Sequence, residues 1–132
     1  MAKQGYAYVP TKCQETEDCD IHVAFHGCVQ TISKIGLKFV ELTQYQEVAE
    51  GNDFIVLFPQ AETSSWPGPN NPNGCWDWWG YGETSSYFSP ATKYVTKQGA
   101  QMAEVYRAVN SLREGKLSLT AADHSVFEMT SE

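Results

Sequence analysis

Five consecutive apolar residues, Phe54-Ile55-Val56-Leu57-Phe58, with Pro59 directly after them, constrain this chain more than any other stretch. A strand with one wet face alternates polar and apolar side chains. A run without polar interruption needs cover on both faces, as strands of helix-covered parallel sheets have. A second strand is expected over residues 21–25, where Ile21, Val23 and Phe25 alternate with His22 and Ala24. Apolar character stops there, at His26-Gly27-Cys28. Between the two strands Ile35, Phe39, Leu42, Tyr45 and Ala49 recur on one helical face, with Gln46 the polar exception. Thr31 to Lys34 lead into this helix and Gly51-Asn52 supply its stop. Strand, helix of about a dozen residues and strand make a βαβ unit, so the two strands should be parallel. Ligand sites in such sheets gather beyond the carboxyl ends of the strands. Here those ends are His26-Gly27-Cys28 and Pro59-Gln60-Ala61, which should face one cleft.

Upstream, Tyr6-Ala7-Tyr8-Val9 reads as a short strand stopped by Pro10, and the segment to Asp20 is polar and acidic. Downstream, residues 62–90 show no periodicity. Trp66-Pro67-Gly68-Pro69-Asn70-Asn71-Pro72-Asn73-Gly74 is turn chemistry, followed by the aromatic run Cys75-Trp76-Asp77-Trp78-Trp79-Gly80-Tyr81. A loop this long is usually functional or disordered, and three tryptophans in four positions argue against disorder. A final helix is expected over residues 97–113, with Thr96 as N-cap, Gly115 as terminator and a buried stripe of Met102, Val105, Tyr106, Val109 and Leu112. Residues 116–132 show no clear pattern and receive no regular role. The chain holds no internal repeat and no low-complexity tract.

A length of 132 residues allows one domain with a modest core. The net charge of −7 argues against nucleic acid or an anionic membrane as partner. No apolar run reaches membrane-spanning length, and no charged-then-apolar leader opens the chain, so Met1-Ala2-Lys3-Gln4 reads as a mature, trimmed or internal start. Cys13, Cys19, Cys28 and Cys75 permit three pairings. Their spacing fits no zinc pattern, so no metal is expected. A local Cys13–Cys19 bridge would tie down the acidic loop between them and leave Cys28 to pair with Cys75; four free buried thiols are the alternative. Bridges would place the protein in an oxidising setting, secreted or periplasmic.

Two stretches resemble the secreted polyhydroxybutyrate depolymerase family: Asp20-x-His22-Val23-Ala24-x-His26-Gly27-Cys28-x-Gln30, and Asn71-Pro72-Asn73-Gly74-Cys75-Trp76-Asp77-Trp78-Trp79-Gly80-Tyr81. Gly5-Tyr6-x-Tyr8-Val9-Pro10 and Lys97-x-Gly99-x-Gln101-Met102 add to the likeness, which runs from about Gly5 to Leu112. The aromatic run is highly specific; the His-Gly-Cys turn is specific only beside it. The family consists of serine esterases on a circularly permuted α/β-hydrolase fold. The resemblance therefore implies an α/β class, a partial hydrolase-like parallel sheet with flanking helices and the long aromatic loop. Residues 1–115 would be the carboxyl-terminal part of that domain, and 116–132 a tail. It implies that the Cys28 backbone N–H serves the oxyanion hole, which stabilises the negative oxygen of a tetrahedral acyl intermediate. Trp76 would line the substrate cleft, with Trp78, Trp79 and Tyr81 beside it. A Cys28–Cys75 bridge would pin turn and loop together. The implied substrate is a polyester or a short hydroxyacyl ester, with no cofactor.

The departure is the nucleophile. In this permuted family the catalytic serine and its partners lie upstream of the segment seen here, and the chain holds no Gly-x-Ser-x-Gly. A carboxyl-terminal portion is expected, with the upstream half as partner and self-association as a consequence of its absence. The rival reading is a non-catalytic polymer- or glycan-binding module using Trp66, Trp76, Trp78 and Trp79. His26 reads as a neutral ring fixing the turn, since a general base needs a nucleophile within reach. His22 reads as a packed or edge histidine. Asp77 reads as an acceptor of backbone N–H groups inside its loop. Asp123-His124-Ser125 invites a triad reading that adjacency in sequence disfavours.

Overall fold

The computed structural model describes residues 1–16, 18–83 and 92–115, together with the backbone of a strand at Ser125–Glu128. Four strands form one sheet: β1 (Gln4–Tyr8), β2 (Asp20–Val23), β3 (Phe54–Phe58) and β4 (Ser125–Glu128), in the spatial order β2-β3-β1-β4. As the βαβ argument requires, β2 and β3 are parallel, with His22 opposite Val56. The sheet as a whole is mixed rather than parallel. β1 runs antiparallel to β3 and pairs on its other side with β4, also antiparallel. The tail given no regular role thus contributes an edge strand, which takes its place from a partner more than a hundred residues away.

The uninterrupted apolar run is covered on both sides. Leu57 faces one layer, where Ala7 and Ala108 are buried beside partly buried Ile21, Val23, Val109 and Leu112. Val56 and Phe58 face the other, with Ala24, Val40 and Ala49. Phe58 is fully buried, which contributes about 1.5–3 kcal/mol relative to exposure.

Between β2 and β3 the single expected helix is three short ones, α1 (Ile32–Ile35), α2 (Lys38–Leu42) and α3 (Tyr45–Asn52). The breaks fall at Gly36 (φ 63°) and Gln44 (φ 63°), where left-handed backbone interrupts the helical path. Each break rotates the segment, so Val40 is buried in place of Leu42, which is exposed. Asp53, at φ 57°, caps α3, one residue beyond the expected Gly51-Asn52 stop.

The last helix, α4 (Ala100–Arg113), begins three residues later than expected. Thr96 caps a preceding turn instead, accepting the Gln98 N–H on its hydroxyl at 3.2 Å. Ala108 is the buried centre of α4's contact face, whereas Met102 and Tyr106, expected inside, are 51% and 67% exposed. Gly115 follows the helix at φ 64°, as expected of a terminating glycine. Two disulfides close the chain locally and at long range, Cys13–Cys19 with Cα atoms 5.9 Å apart and Cys28–Cys75 at 4.3 Å.

Candidate functional site

β2 stops at Val23, short of the expected end at Phe25. The Ala24 N–H still donates to Leu57 O at 2.8 Å, after which the chain swings away from the sheet. Phe25 is consequently 51% exposed, not a core residue, and His26 is buried in its stead. The next four residues form a turn in which three of the four backbone N–H groups have acceptors. The Gly27 N–H donates to the Gln30 side-chain carbonyl at 2.7 Å, and the Gln30 N–H returns to Gly27 O at 3.2 Å. Val29 adopts φ 65°, a rare conformation for a β-branched residue, and its N–H donates to Asn73 O at 2.7 Å. Among the described residues no group accepts the Cys28 N–H.

His26 ties the ends of the two parallel strands together. The Ala61 N–H donates to its Nε2 at 3.0 Å, so that nitrogen carries a lone pair. The ring proton therefore sits on Nδ1, which donates to Gly27 O at 2.8 Å. This assignment follows from the hydrogen-bond network. Burial pushes the imidazole pKa below its ordinary value, partly offset by the bond to Gly27 O, so the ring is neutral. The two strand ends thus meet at one edge, as expected.

The aromatic loop is bolted to this turn at three points: the Cys28–Cys75 disulfide, the Val29 to Asn73 bond, and the Trp76 indole N–H, which donates to His26 O at 2.9 Å. Trp76 is half-buried, with the His26 ring 5.3 Å and the Phe25 ring 5.0 Å from its own centroid, the latter edge-on. Its one polar group is used, so whatever it offers a ligand is apolar surface.

Inside the loop the backbone folds around two side chains. Asn71, fully buried, accepts the Cys75 N–H at 2.9 Å and donates to Cys75 O at 3.0 Å and Glu62 O at 3.2 Å. Asp77 accepts the N–H groups of Gly80 (2.6 Å), Tyr81 (2.9 Å) and Gly82 (2.9 Å), the role its place between tryptophans suggested. Tyr81 donates to Cys75 O at 2.9 Å and accepts from Gln101 Nε2 at 2.6 Å; burial raises its pKa. Gln101 also accepts the Asp77 N–H at 2.7 Å, clamping the loop to α4.

The structure thus brings Cys28, Trp76 and Tyr81 into one connected unit. Trp78 and Trp79 pack edge-on against each other at 5.1 Å, with Tyr81 4.7 Å from Trp79, and stand 71% and 40% exposed. His22 lies on the edge strand β2, its ring near Tyr45 and Phe54. Asp123 and His124 lie outside the described residues, so the triad reading stays a matter of sequence. No group of residues able to hold a metal ion occurs among the described residues, and no helix among them is long and apolar enough to cross a membrane. Gln30, Asn71 and Gln101 emerge as the side chains that shape the site. The sequence signal for Asn71 was a carboxamide set between turn-forming prolines; Gln30 and Gln101 stood in the resembling stretches without an assigned task.

No protein-family model matches the chain. It is similar to the poly(3-hydroxybutyrate) depolymerase of Delftia acidovorans, 36% identical over 125 residues, covering 93% of this chain and 22% of that protein. The polyhydroxybutyrate depolymerase of Talaromyces funiculosus is 38% identical over 124 residues, covering 87% and 34%. The chain therefore spans between 22% and 34% of the length of these relatives. The crystal structure of PHB depolymerase from Penicillium funiculosum superposes with a TM-score of 0.69 at 38% identity, over 84% of this chain and 35% of that one. A PHB depolymerase complexed with an R3HB trimer gives 0.66 at 35% identity, with the same two coverages.

Proposed function

Since the chain is homologous to polyhydroxybutyrate depolymerases over most of its length, we propose that it is part of an ester hydrolase acting on a polyester or a short hydroxyacyl ester. In this reading the Cys28 N–H is one donor of an oxyanion hole and Trp76 is an apolar wall of the acyl-binding cleft. One observation carries it: the disulfide, the Val29 to Asn73 bond and the Trp76 to His26 bond hold an open backbone donor and an aromatic wall together at the carboxyl edge of two parallel strands.

The chemistry follows from that pairing. When a nucleophile adds to an ester carbonyl, the C=O π electrons move onto oxygen. A fixed N–H donor stabilises that negative oxygen without having to reorganise. Trp76, with its N–H spent on His26, holds the acyl part by dispersion and desolvation. No Gly-x-Ser-x-Gly occurs in this chain, so the contribution proposed for it is donor and wall, not the attacking oxygen. Two disulfides with no free cysteine among the described residues support work in an oxidising setting, secreted or periplasmic.

The test is titration of the ¹⁵N-labelled chain with an R3HB trimer. The Cys28 amide and the Trp76 indole resonances should shift saturably along one isotherm, and Trp76→Ala should weaken binding about tenfold, the equivalent of about 1.4 kcal/mol. Absence of a response at both groups would overturn the reading. The exposure of Trp78 and Trp79 favours a second reading, a surface that adheres to polymer. If Trp78→Ala and Trp79→Ala abolish adsorption to polyester while Trp76→Ala leaves both adsorption and trimer binding unchanged, that second reading replaces the first.

A further inference from the structure

The peptide that carries the open donor is held from its other end. A peptide unit is planar and trans, so the Gly27 carbonyl and the Cys28 N–H belong to one rigid plane and point in opposite directions. That carbonyl receives two hydrogen bonds, from His26 Nδ1–H at 2.8 Å and from the Gln30 N–H at 3.2 Å. The preceding amide, Gly27 N–H, is taken by the Gln30 side chain at 2.7 Å, and the following one, Val29 N–H, by Asn73 O at 2.7 Å. Every neighbouring amide is thus committed, and the one left over is aimed by its own carbonyl.

We propose that His26 is a positioning residue for the oxyanion donor, acting through the Gly27–Cys28 peptide, with the Gln30 side chain steadying the adjoining His26–Gly27 peptide through its hold on the Gly27 N–H. The inference rests on the reading of Cys28 given above. His26 is suited to the task because its Nε2 is committed to the Ala61 N–H, which leaves Nδ1 as the protonated nitrogen. A donor on the Gly27 carbonyl also draws electron density from the peptide and makes the Cys28 N–H a better donor, since hydrogen-bonded groups polarise one another. The side chain itself touches no reacting atom.

Two substitutions separate the two ring nitrogens. His26→Asn keeps a donor near the Nδ1 position and loses the acceptor for Ala61. His26→Gln keeps an acceptor near the Nε2 position and loses the donor to Gly27. In the same titration with the R3HB trimer, the Cys28 amide response should persist in His26→Asn and fall severalfold in His26→Gln. Gln30 is exposed, so Gln30→Leu should fold even where the buried substitutions do not. It should weaken the Cys28 response while leaving the Trp76 indole response in place, and Gln30→Glu, which retains a side-chain acceptor, should restore it. A lost fold would remove both responses together; a lost clamp removes one. Unchanged Cys28 shifts in His26→Gln and Gln30→Leu, with the wild type responding normally, would overturn the positioning role and leave the proposed function standing. A wild-type chain in which the Cys28 amide does not respond overturns the oxyanion reading and this inference with it.

Discussion

A single buried ring joins three parts of this site. His26 accepts from the strand end at Ala61, donates to the turn at Gly27, and through its backbone carbonyl receives the indole of the aromatic loop. The bond from Ala61 requires a neutral imidazole, because a proton on Nε2 would face the Ala61 N–H donor. The consequence for stability has a definite sign. The folded pKa lies below the ordinary value of 6.5, so the unfolded chain binds more protons in the interval between the two. The contribution of His26 is therefore complete above pH 6.5 and is lost as pH falls from there toward the folded pKa. We predict that the urea midpoint of the wild type falls between neutral and mildly acidic pH. His26→Gln, which cannot titrate, should flatten that fall. Equal slopes for wild type and variant would contradict the assignment. The fixing role of His26 was legible from its place between a strand and a glycine. Its tautomer was not, because the partner on Nε2 is contributed by a residue 35 positions away.

At the level of elements, β1, β2 and β3 are legible in the sequence, and β4 and the helical breaks are not. The run from Phe54 to Phe58 announces burial on both faces by composition alone, and the parallel pairing follows from the length of the connection. Gln44 has no feature that marks a left-handed residue, so a single helix looked consistent with the apolar spacing. Met102 and Tyr106 fit a helical stripe as well as Val109 and Leu112 do, and only the start of α4 and the placement of its neighbours decide which are covered. β4 leaves little trace in the sequence because four residues carry little pattern and their pairing is non-local. Two glycines test how elements and loop fit together. A Cβ on Gly74, at φ 59°, would stand 2.3 Å from the Thr31 Cγ2 at the start of α1. A Cβ on Gly36, at φ 63°, would meet nothing within 4 Å. Gly36→Ala should therefore cost only the backbone term, about 1–3 kcal/mol. Gly74→Ala adds overpacking against buried Thr31, worth about 1–3 kcal/mol more. Urea denaturation of both variants checks the order; a Gly36→Ala loss equal to or above that of Gly74→Ala would show that loop and α1 are not packed as described.

For the molecule as a whole, two terms of opposite sign govern association. The described surface leaves Trp66, Trp78, Leu42, Val95 and Tyr106 largely exposed, and β2 pairs on one side only, with β3. Unpaired strand edges and apolar patches both favour contact with another chain. Against this stands a net charge of −7, which makes two copies repel. Repulsion between exposed charges is screened beyond about 8 Å at physiological ionic strength, whereas burial of apolar surface is not weakened by salt. The apolar term should therefore win once salt is present. We predict a mass that rises with protein concentration in light scattering coupled to size exclusion, and rises further when sodium chloride is added at fixed concentration. Trp78→Ser together with Tyr106→Ser should lower the association without changing the far-ultraviolet circular dichroism, since neither side chain belongs to the core clusters. A single monomeric mass across a wide dilution series at low and high salt would refute the argument. It would mean that the exposed aromatic groups are too scattered to act as one surface and that the short β2 edge is protected by its own twist. Association that weakens with salt would instead point to ion pairs between copies, a different interface from the apolar one argued for here.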